Sequence, residues 1–178
     1  MMSNFLFAGF GGQGILFSGK LLAKVGLELD KQVSWLPSYG PEMRGGTANC
    51  SVIVNDEPIG SPLVTKPDVL LVLNLPSFEK FEHTVIKNGI MIVDSSLVEK
   101  KTVRTDIKAY YIPASMLASD NDLAGLANII MFGQMLKAIK LFDYSLVEAV
   151  LVHSTPKSKP QLAELNKKAL SLGYNYQA

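Results

Sequence analysis

Residues 9–14 read Gly-Phe-Gly-Gly-Gln-Gly and follow directly on the apolar run Phe5-Leu6-Phe7-Ala8. A short apolar run that stops at glycine is expected to be a buried strand. From Ile15 the spacing changes. Ile15, Leu22, Val25 and Leu29 fall on one helical face, with Lys20, Lys24 and Glu28 elsewhere. Strand, glycine turn and helix form a unit that commits the chain to a layered arrangement of sheet and helices. Glycines let the backbone turn sharply and let a ligand come close, and the helix N-terminus offers unpaired N–H groups to an anion.

Gly9, Gly11 and Gly14 satisfy G-x-G-x-x-G in the context of a dinucleotide fingerprint. The rest of that fingerprint is missing. The second strand, Gln32 to Leu36, is followed by Pro37-Ser38-Tyr39, where an acidic residue should hold a ribose; Asp30 stands at the wrong end. This argues against a nicotinamide-dependent dehydrogenase. Gly14 to Lys20 has the spacing of a phosphate loop, but Leu21 follows where a metal-binding hydroxyl should stand. Gly19 is more simply a close-packing position. A tight turn alone does not call for Gln13 between Gly12 and Gly14, so the loop is a candidate site at a strand's carboxyl end.

Further along, Pro37 is expected to end the second strand. Ser38-Tyr39-Gly40-Pro41-Glu42-Met43-Arg44-Gly45-Gly46 is a polar loop, and Thr47 to Val54 is strand-like. The turn Asn55-Asp56-Glu57-Pro58 followed by Ile59-Gly60 suggests a hairpin, hence a partly antiparallel sheet. Asp68 to Leu73 and Ile90 to Val93 read as strands covered on both faces. Ser77 to Val85 reads as a helix with Phe78, Phe81 and Val85 inward, and Val103 to Ile112 should contain one more strand. The last third is helical. Asp122 to Lys140 carries Leu126, Ile130 and Leu136, Ser145 to Glu148 has capping-box spacing, and Gly173 is placed to end a final helix. Lys100-Lys101 reads as a solvated turn. The fold expected is an α/β, Rossmann-like layered fold, with a mostly parallel, partly mixed sheet flanked by helices.

The 178 residues suit a single domain over 1–178. No repeat, linker or low-complexity stretch interrupts it. A net charge of +1 gives no electrostatic reason to expect nucleic acid or an anionic membrane as partner. Cys50 is the one cysteine and lies in an apolar stretch, so it reads as a small buried hydrophobe. One thiol cannot carry an iron–sulfur cluster, which needs about four ligands. His83 and His153 lie far apart in polar segments and read as solvent-facing rather than as a metal pair. There is no Gly-Asp-Gly with a downstream Asn-Asn pair, and no Ser–His–Asp arrangement. The N-terminus lacks the basic region of a signal peptide and no apolar run approaches a bilayer span, so the expected location is the cytoplasm.

Four blocks taken together, GFGGQGILFSGKLLA, SYGPEMRGGTANCSVIV, LANIIMFGQML and LNKKALSLG, resemble the gamma subunit of 2-oxoacid:ferredoxin oxidoreductases, in order and over nearly the whole chain. The resemblance implies a complex that decarboxylates a 2-oxoacid, such as pyruvate or 2-oxoglutarate, with coenzyme A as co-substrate. Its products are acyl-CoA, carbon dioxide and reduced ferredoxin. It implies thiamine diphosphate, magnesium and iron–sulfur clusters in the alpha, beta or, in some forms, delta subunits, with no cofactor bound by this chain. The rival is a freestanding nucleotide- or coenzyme-A-binding module.

The candidate binding or interface residues are Gly9, Gly11, Gly12, Gln13, Gly14, Ser38, Tyr39, Gly40, Pro41, Glu42, Arg44, Gly45, Gly46 and Asn128. No residue is assigned a catalytic role and none a metal. The two loops are expected to meet at one sheet edge, facing the alpha and beta subunits near coenzyme A. Tyr39 and Arg44 are of types that anchor interfaces, and Arg44 can clamp a carboxylate or phosphate; the alternative is an internal Glu42–Arg44 pair. Asn128, unfavourable within a helix by propensity, either makes a buried hydrogen bond to a loop or is an exposed polar residue on the outer face.

Overall fold

Phe5 and Phe7 pack into one hydrophobic core and Leu6 and Ala8 into another, all of them buried. Successive residues of a strand point to opposite faces, so this strand is covered on both sides. It is the centre of a sheet between two helical layers. The computed structural model describes residues 3–38, 47–156 and 158–177. In chain order the elements are β1 (Asn4–Phe10), α1 (Ile15–Glu28), β2 (Gln32–Ser38), β3 (Thr47–Asn55), β4 (Val69–Val72), α2 (Leu75–Phe81), β5 (Ile90–Asp94), β6 (Lys108–Ile112), α3 (Ala114–Asp120), α4 (Ala127–Ile139), α5 (Tyr144–His153) and α6 (Pro160–Asn175).

The six strands are ordered β2-β3-β1-β4-β5-β6. β1, β4, β5 and β6 run parallel, and β3 runs antiparallel to both β1 and β2. The sheet is thus mostly parallel and partly mixed, as expected. The larger core joins α1, α4, α5 and α6 to one face through Leu22, Ile130, Met135, Leu151 and Leu170. The other core packs Phe78 of α2, Val85, Val98 and Ile107 on the opposite face. α1 leaves β1 on one face and α2 leaves β4 on the other. The winding therefore reverses between β1 and β4, which opens a crevice at their carboxyl ends.

Several local expectations fail for identifiable reasons. The antiparallel partner of β3 is not Ile59-Gly60, which lies outside any strand. β3 already has β2 along one side and β1 along the other, so it has no free edge for a third strand. Pro37 does not end β2, which continues to Ser38; β2 is the edge strand, where a missing N–H is tolerated. The helix expected from Asp122 begins at Ala127, because Asp122 (φ 58°) and Gly125 (φ 81°) sit in the left-handed region. The helix expected from Ser77 starts at Leu75, capped by Asn74, and closes in a 3₁₀ turn over Glu82–Thr84.

The N-cap of α5 is Asp143 rather than Ser145. Its carboxylate accepts from Ser145 N at 2.8 Å and Leu146 N at 3.2 Å, while Glu148 accepts instead from the Tyr144 hydroxyl. α6 runs past Gly173 to Asn175. Gly173 is glycine for contact: a Cβ there would collide with the Ile130 carbonyl, and one on Gly133 with the Leu170 carbonyl. α4 and α6 therefore cross with their backbones touching. Phe78 is buried and Phe81 half-buried in the second core, as expected.

Candidate functional site

The turn between β1 and α1 is held open by glycine conformation. Gly12 (φ 92°) and Gly14 (φ 78°) both occupy the left-handed region. Gly14 is the N-cap of α1 and supplies no side chain, so no side-chain oxygen caps the first-turn N–H groups.

Two carboxamides fix the loop from either side. Gln13 Oε1 accepts from Phe10 N at 2.6 Å, and its Nε2 donates to the Leu73 carbonyl at 3.1 Å. That links the end of β1 to the end of β4 across the crevice. Asn128, only 3% exposed, donates through Nδ2 to the Gly14 carbonyl at 3.2 Å and to Ser18 Oγ at 3.2 Å. Of the two alternatives for Asn128, the structure shows the buried hydrogen bond to the loop. A Cβ on Gly14 would collide with the Asn128 carboxamide. The loop is therefore braced at both ends, at Phe10 by Gln13 and at Gly14 by Asn128, before any partner arrives.

The carboxyl ends of β4 and β5 carry buried polar residues beside the crevice. Asp94, at the end of β5, is fully buried, and its carboxylate accepts from Ser115 Oγ at 2.6 Å, Ser115 N at 3.1 Å and Ser96 N at 3.0 Å. Asn74 Oδ1 accepts from Ser77 N at 2.8 Å, while Asn74 Nδ2 and Ser77 Oγ are buried without a protein partner. Sequence reasoning did not assign Asn74, Asp94 or Ser115 to the site. A polar residue at the carboxyl end of an apolar strand was the available signal. A cavity of about 320 Å³ lies here, lined by Gly12, Gln13, Leu73, Ser115, Ala118 and Gly125. A second hollow of about 250 Å³ flanks the outer side of the loop beside Phe10, Gly11, Phe17 and Ala48. Gly9 lies against Gln13 and Ile15, leaving no room for a side chain.

Of the second candidate loop, Ser38 is exposed at the end of β2, and Tyr39, Gly40, Pro41, Glu42, Arg44, Gly45 and Gly46 lie outside the described residues. The residues bracketing them are informative. Ser38 pairs with Asn49, and Thr47 pairs with Phe10 at the mouth of the glycine loop.

Cys50 is fully buried on β3, and burial pushes its thiol up to about 12. Its sulfur lies 2.5 Å from where a Cβ on Gly19 would stand, so Gly19 is a close-packing position. A single protonated thiol under α1 does not fit an iron–sulfur cluster. Among the described residues no three His, Cys, Asp or Glu groups converge on a possible metal position, and His83 and His153 are exposed. Among the described residues no helix is long and apolar enough to cross a membrane.

Residues 4–176 match the family model for pyruvate ferredoxin/flavodoxin oxidoreductase. The chain is 34% identical to 2-oxoglutarate synthase subunit KorC of Methanocaldococcus jannaschii, over 98% of this chain and 93% of that protein. It is 38% identical to ketoisovalerate oxidoreductase subunit VorA of Methanothermobacter thermautotrophicus over 93% of its own length, and there it spans only 34% of the relative. Its fold matches the gamma subunit of keto/oxoacid ferredoxin oxidoreductase from Geobacter sulfurreducens with a TM-score of 0.80 at 27% identity, covering 97% of this chain and 96% of that one. The family match extends over both elements that build the crevice, the glycine loop and α4. This chain belongs to the pyruvate ferredoxin/flavodoxin oxidoreductase family.

Proposed function

We propose that this chain is the gamma subunit of a multi-subunit 2-oxoacid:ferredoxin oxidoreductase, assembling the complex and completing the site near coenzyme A. The complex converts a 2-oxoacid and coenzyme A to acyl-CoA and carbon dioxide, passing electrons to ferredoxin. Thiamine diphosphate, magnesium and the iron–sulfur clusters reside in the alpha, beta or delta partners, and this chain contributes surface rather than chemistry. When bound in those partners, thiamine diphosphate supplies the carbanion chemistry.

The observation that carries this reading is the braced glycine loop. Asn128 holds the Gly14 carbonyl and Gln13 the Phe10 amide, which lowers the ordering cost of meeting a partner. A second contact is proposed for the segment containing Tyr39 and Arg44, which precedes in sequence the Thr47 that pairs with Phe10. Arg44 clamps a carboxylate or phosphate there, as its fork of donors suits it to do. Arg44→Ala is expected to impair assembly or raise the coenzyme A requirement, and unchanged assembly and kinetics would remove that role. Co-purification from the source cell, with identification of partner chains and an assay of 2-oxoacid-dependent ferredoxin reduction, tests the whole reading.

The cavity of about 320 Å³ at the winding reversal favours a second reading, a freestanding nucleotide- or coenzyme-A-binding module. Calorimetry on the isolated chain separates the two. Tight binding of a nucleotide or of coenzyme A alone favours the module; binding only within the complex favours the subunit.

A further inference from the structure

Gln134 interrupts the buried run of α4, with Met131, Phe132 and Gly133 before it and Met135 and Leu136 after. It is 2% exposed. A carboxamide buried that deeply is expected to have its hydrogen bonds made inside the protein. Its Oε1 has no partner among the described residues. Such an acceptor costs stability unless a donor reaches it.

Gln134 lines a cavity of about 440 Å³ at the outer edge of the sheet. Tyr110 of the edge strand β6, Lys137 and Lys140 at the end of α4, and Tyr176 and Gln177 at the end of α6 and beyond line it too. The walls are fixed. Tyr110 and Tyr176 both pack partly on the larger core. Tyr176 is tied at both backbone groups: its amide donates to the Gly173 carbonyl at 3.3 Å, and its carbonyl accepts from Lys137 Nζ at 2.7 Å. Lys140 closes α4 at a φ of 53°, in the left-handed region that glycine fills most easily. Among the described residues neither lysine is ion-paired with a carboxylate, and no acidic side chain lines the cavity.

These groups specify a ligand in three parts. The Gln134 carboxamide suits a planar edge that offers a donor beside an acceptor, as the amino group and ring nitrogen of adenine do. Tyrosine rings offer faces on which a base stacks. The two lysines suit phosphate. The volume falls within the range of small-molecule sites, about 300–1,000 Å³. We propose that the cavity between β6, the end of α4 and Tyr176 binds an adenosine phosphate. From Asn128 to Lys137 α4 rises roughly 14 Å at about 1.5 Å per residue, so this site is separate from the glycine loop and does not rest on the subunit reading. Nucleotide binding by the isolated chain then counts toward a module built on the crevice only where it survives Gln134→Leu.

The test is calorimetry of ADP on the full chain. Inorganic pyrophosphate is the probe of charge alone, because lysines in a last helical turn also complement the helix dipole. Gln134→Leu removes the buried acceptor without emptying its space, so thermal melts should show the fold retained. It is expected to weaken ADP about tenfold and to leave pyrophosphate unchanged. Lys140→Glu, at an exposed position, is expected to weaken both. A photoreactive azido-ADP gives an independent readout and should label peptides containing Tyr110 or Tyr176. Should Gln134→Leu fail to fold, Lys140→Glu and the label decide. Coenzyme A carries the same adenosine phosphate. Gln134-dependent displacement of ADP by coenzyme A assigns the site to the adenosine end of that molecule, ADP that coenzyme A does not displace assigns it to a free nucleotide, and either result supports the site. No binding of ADP or coenzyme A by the wild-type chain, equal affinity for ADP and pyrophosphate, ADP binding unchanged in Gln134→Leu, or label confined to residues 9–14 would each overturn it.

Discussion

The side-chain amide of Asn128, in α4, donates to the carbonyl of Gly14, at the start of α1, across 114 residues of sequence. The same nitrogen reaches Ser18 Oγ at 3.2 Å, so one buried carboxamide couples the C-terminal helices to the glycine loop. A net hydrogen bond is worth about 1 kcal/mol, and stranding its buried partners costs more. Asn128→Leu is therefore expected to destabilise the chain by about 2–3 kcal/mol in urea unfolding, and to speed amide exchange at residues 15–18. A loss under ~0.5 kcal/mol would mean that the loop holds itself.

Gly14 itself is tested separately. Its φ of 78° is disfavoured for L side chains, and the space a Cβ needs is filled by Asn128. Gly14→Ala is expected to cost about 2–3 kcal/mol, from backbone strain plus overpacking. Combining it with Asn128→Ala, which empties that space, should recover part of the loss. A strictly additive double variant would show that the two residues are uncoupled.

The crossing of α4 on α6 depends on Gly173, where a Cβ would meet the Ile130 carbonyl. Backbone cannot yield as a flexible side-chain tip does, so Gly173→Ala is expected to cost ~3 kcal/mol. Gly60, with nothing within 4 Å of an added Cβ, is the control, and Gly60→Ala should be close to neutral. Thermal melts of both variants check the contrast.

The Asp143 carboxylate is held below the usual carboxylate range by the Ser145 hydroxyl first, then by the Leu146 and Ser145 amides. A carboxylate with a depressed folded-state pKa stabilises the fold above its unfolded value, and that contribution is lost as pH falls through the folded-state pKa. Wild type should thus lose stability on acidification more steeply than Asp143→Asn. Parallel stability curves between pH 6 and the acid limb would contradict the cap.

Cys50 follows the opposite sign. With its thiol pushed up to about 12, the folded chain keeps it protonated while the unfolded chain ionises it near the usual value of about 8.5. Stability from this group is intact below that value and declines as pH rises toward 12. At pH 8 the native chain should resist thiol reagents and the urea-unfolded chain should react at once. Rapid native labelling would place Cys50 at the surface.

Much of the architecture was legible because it rests on apolar runs and glycine punctuation. β1, the glycine turn and α1 follow from Phe5 to Ile15, and the strands at Val69 and Ile90 from uninterrupted apolar residues. The hairpin assigned to Ile59 was misplaced because β3 alternates as any antiparallel strand does, which does not say which neighbours it pairs with. α3, Ala-Ser-Met-Leu-Ala-Ser-Asp, has no apolar period to betray it. Gly173 looked like a helix end because crowding by a distant backbone leaves no local mark. The site was partly legible for the same reason. The glycines and Gln13 announced a loop, whereas Asp94 and Ser115 come together only when β5 and β6 lie side by side.

The central claim is that this chain is a docking subunit whose redox machinery lies in neighbouring polypeptides. The most direct measurement is to purify the chain alone, determine bound thiamine diphosphate, iron and sulfide, and assay 2-oxoacid-dependent ferredoxin reduction before and after restoring the partner chains. The account predicts no bound redox cofactor and no turnover in isolation, and turnover on reconstitution that is lost when this chain is omitted. Turnover or a tightly held redox cofactor in the isolated chain would contradict it.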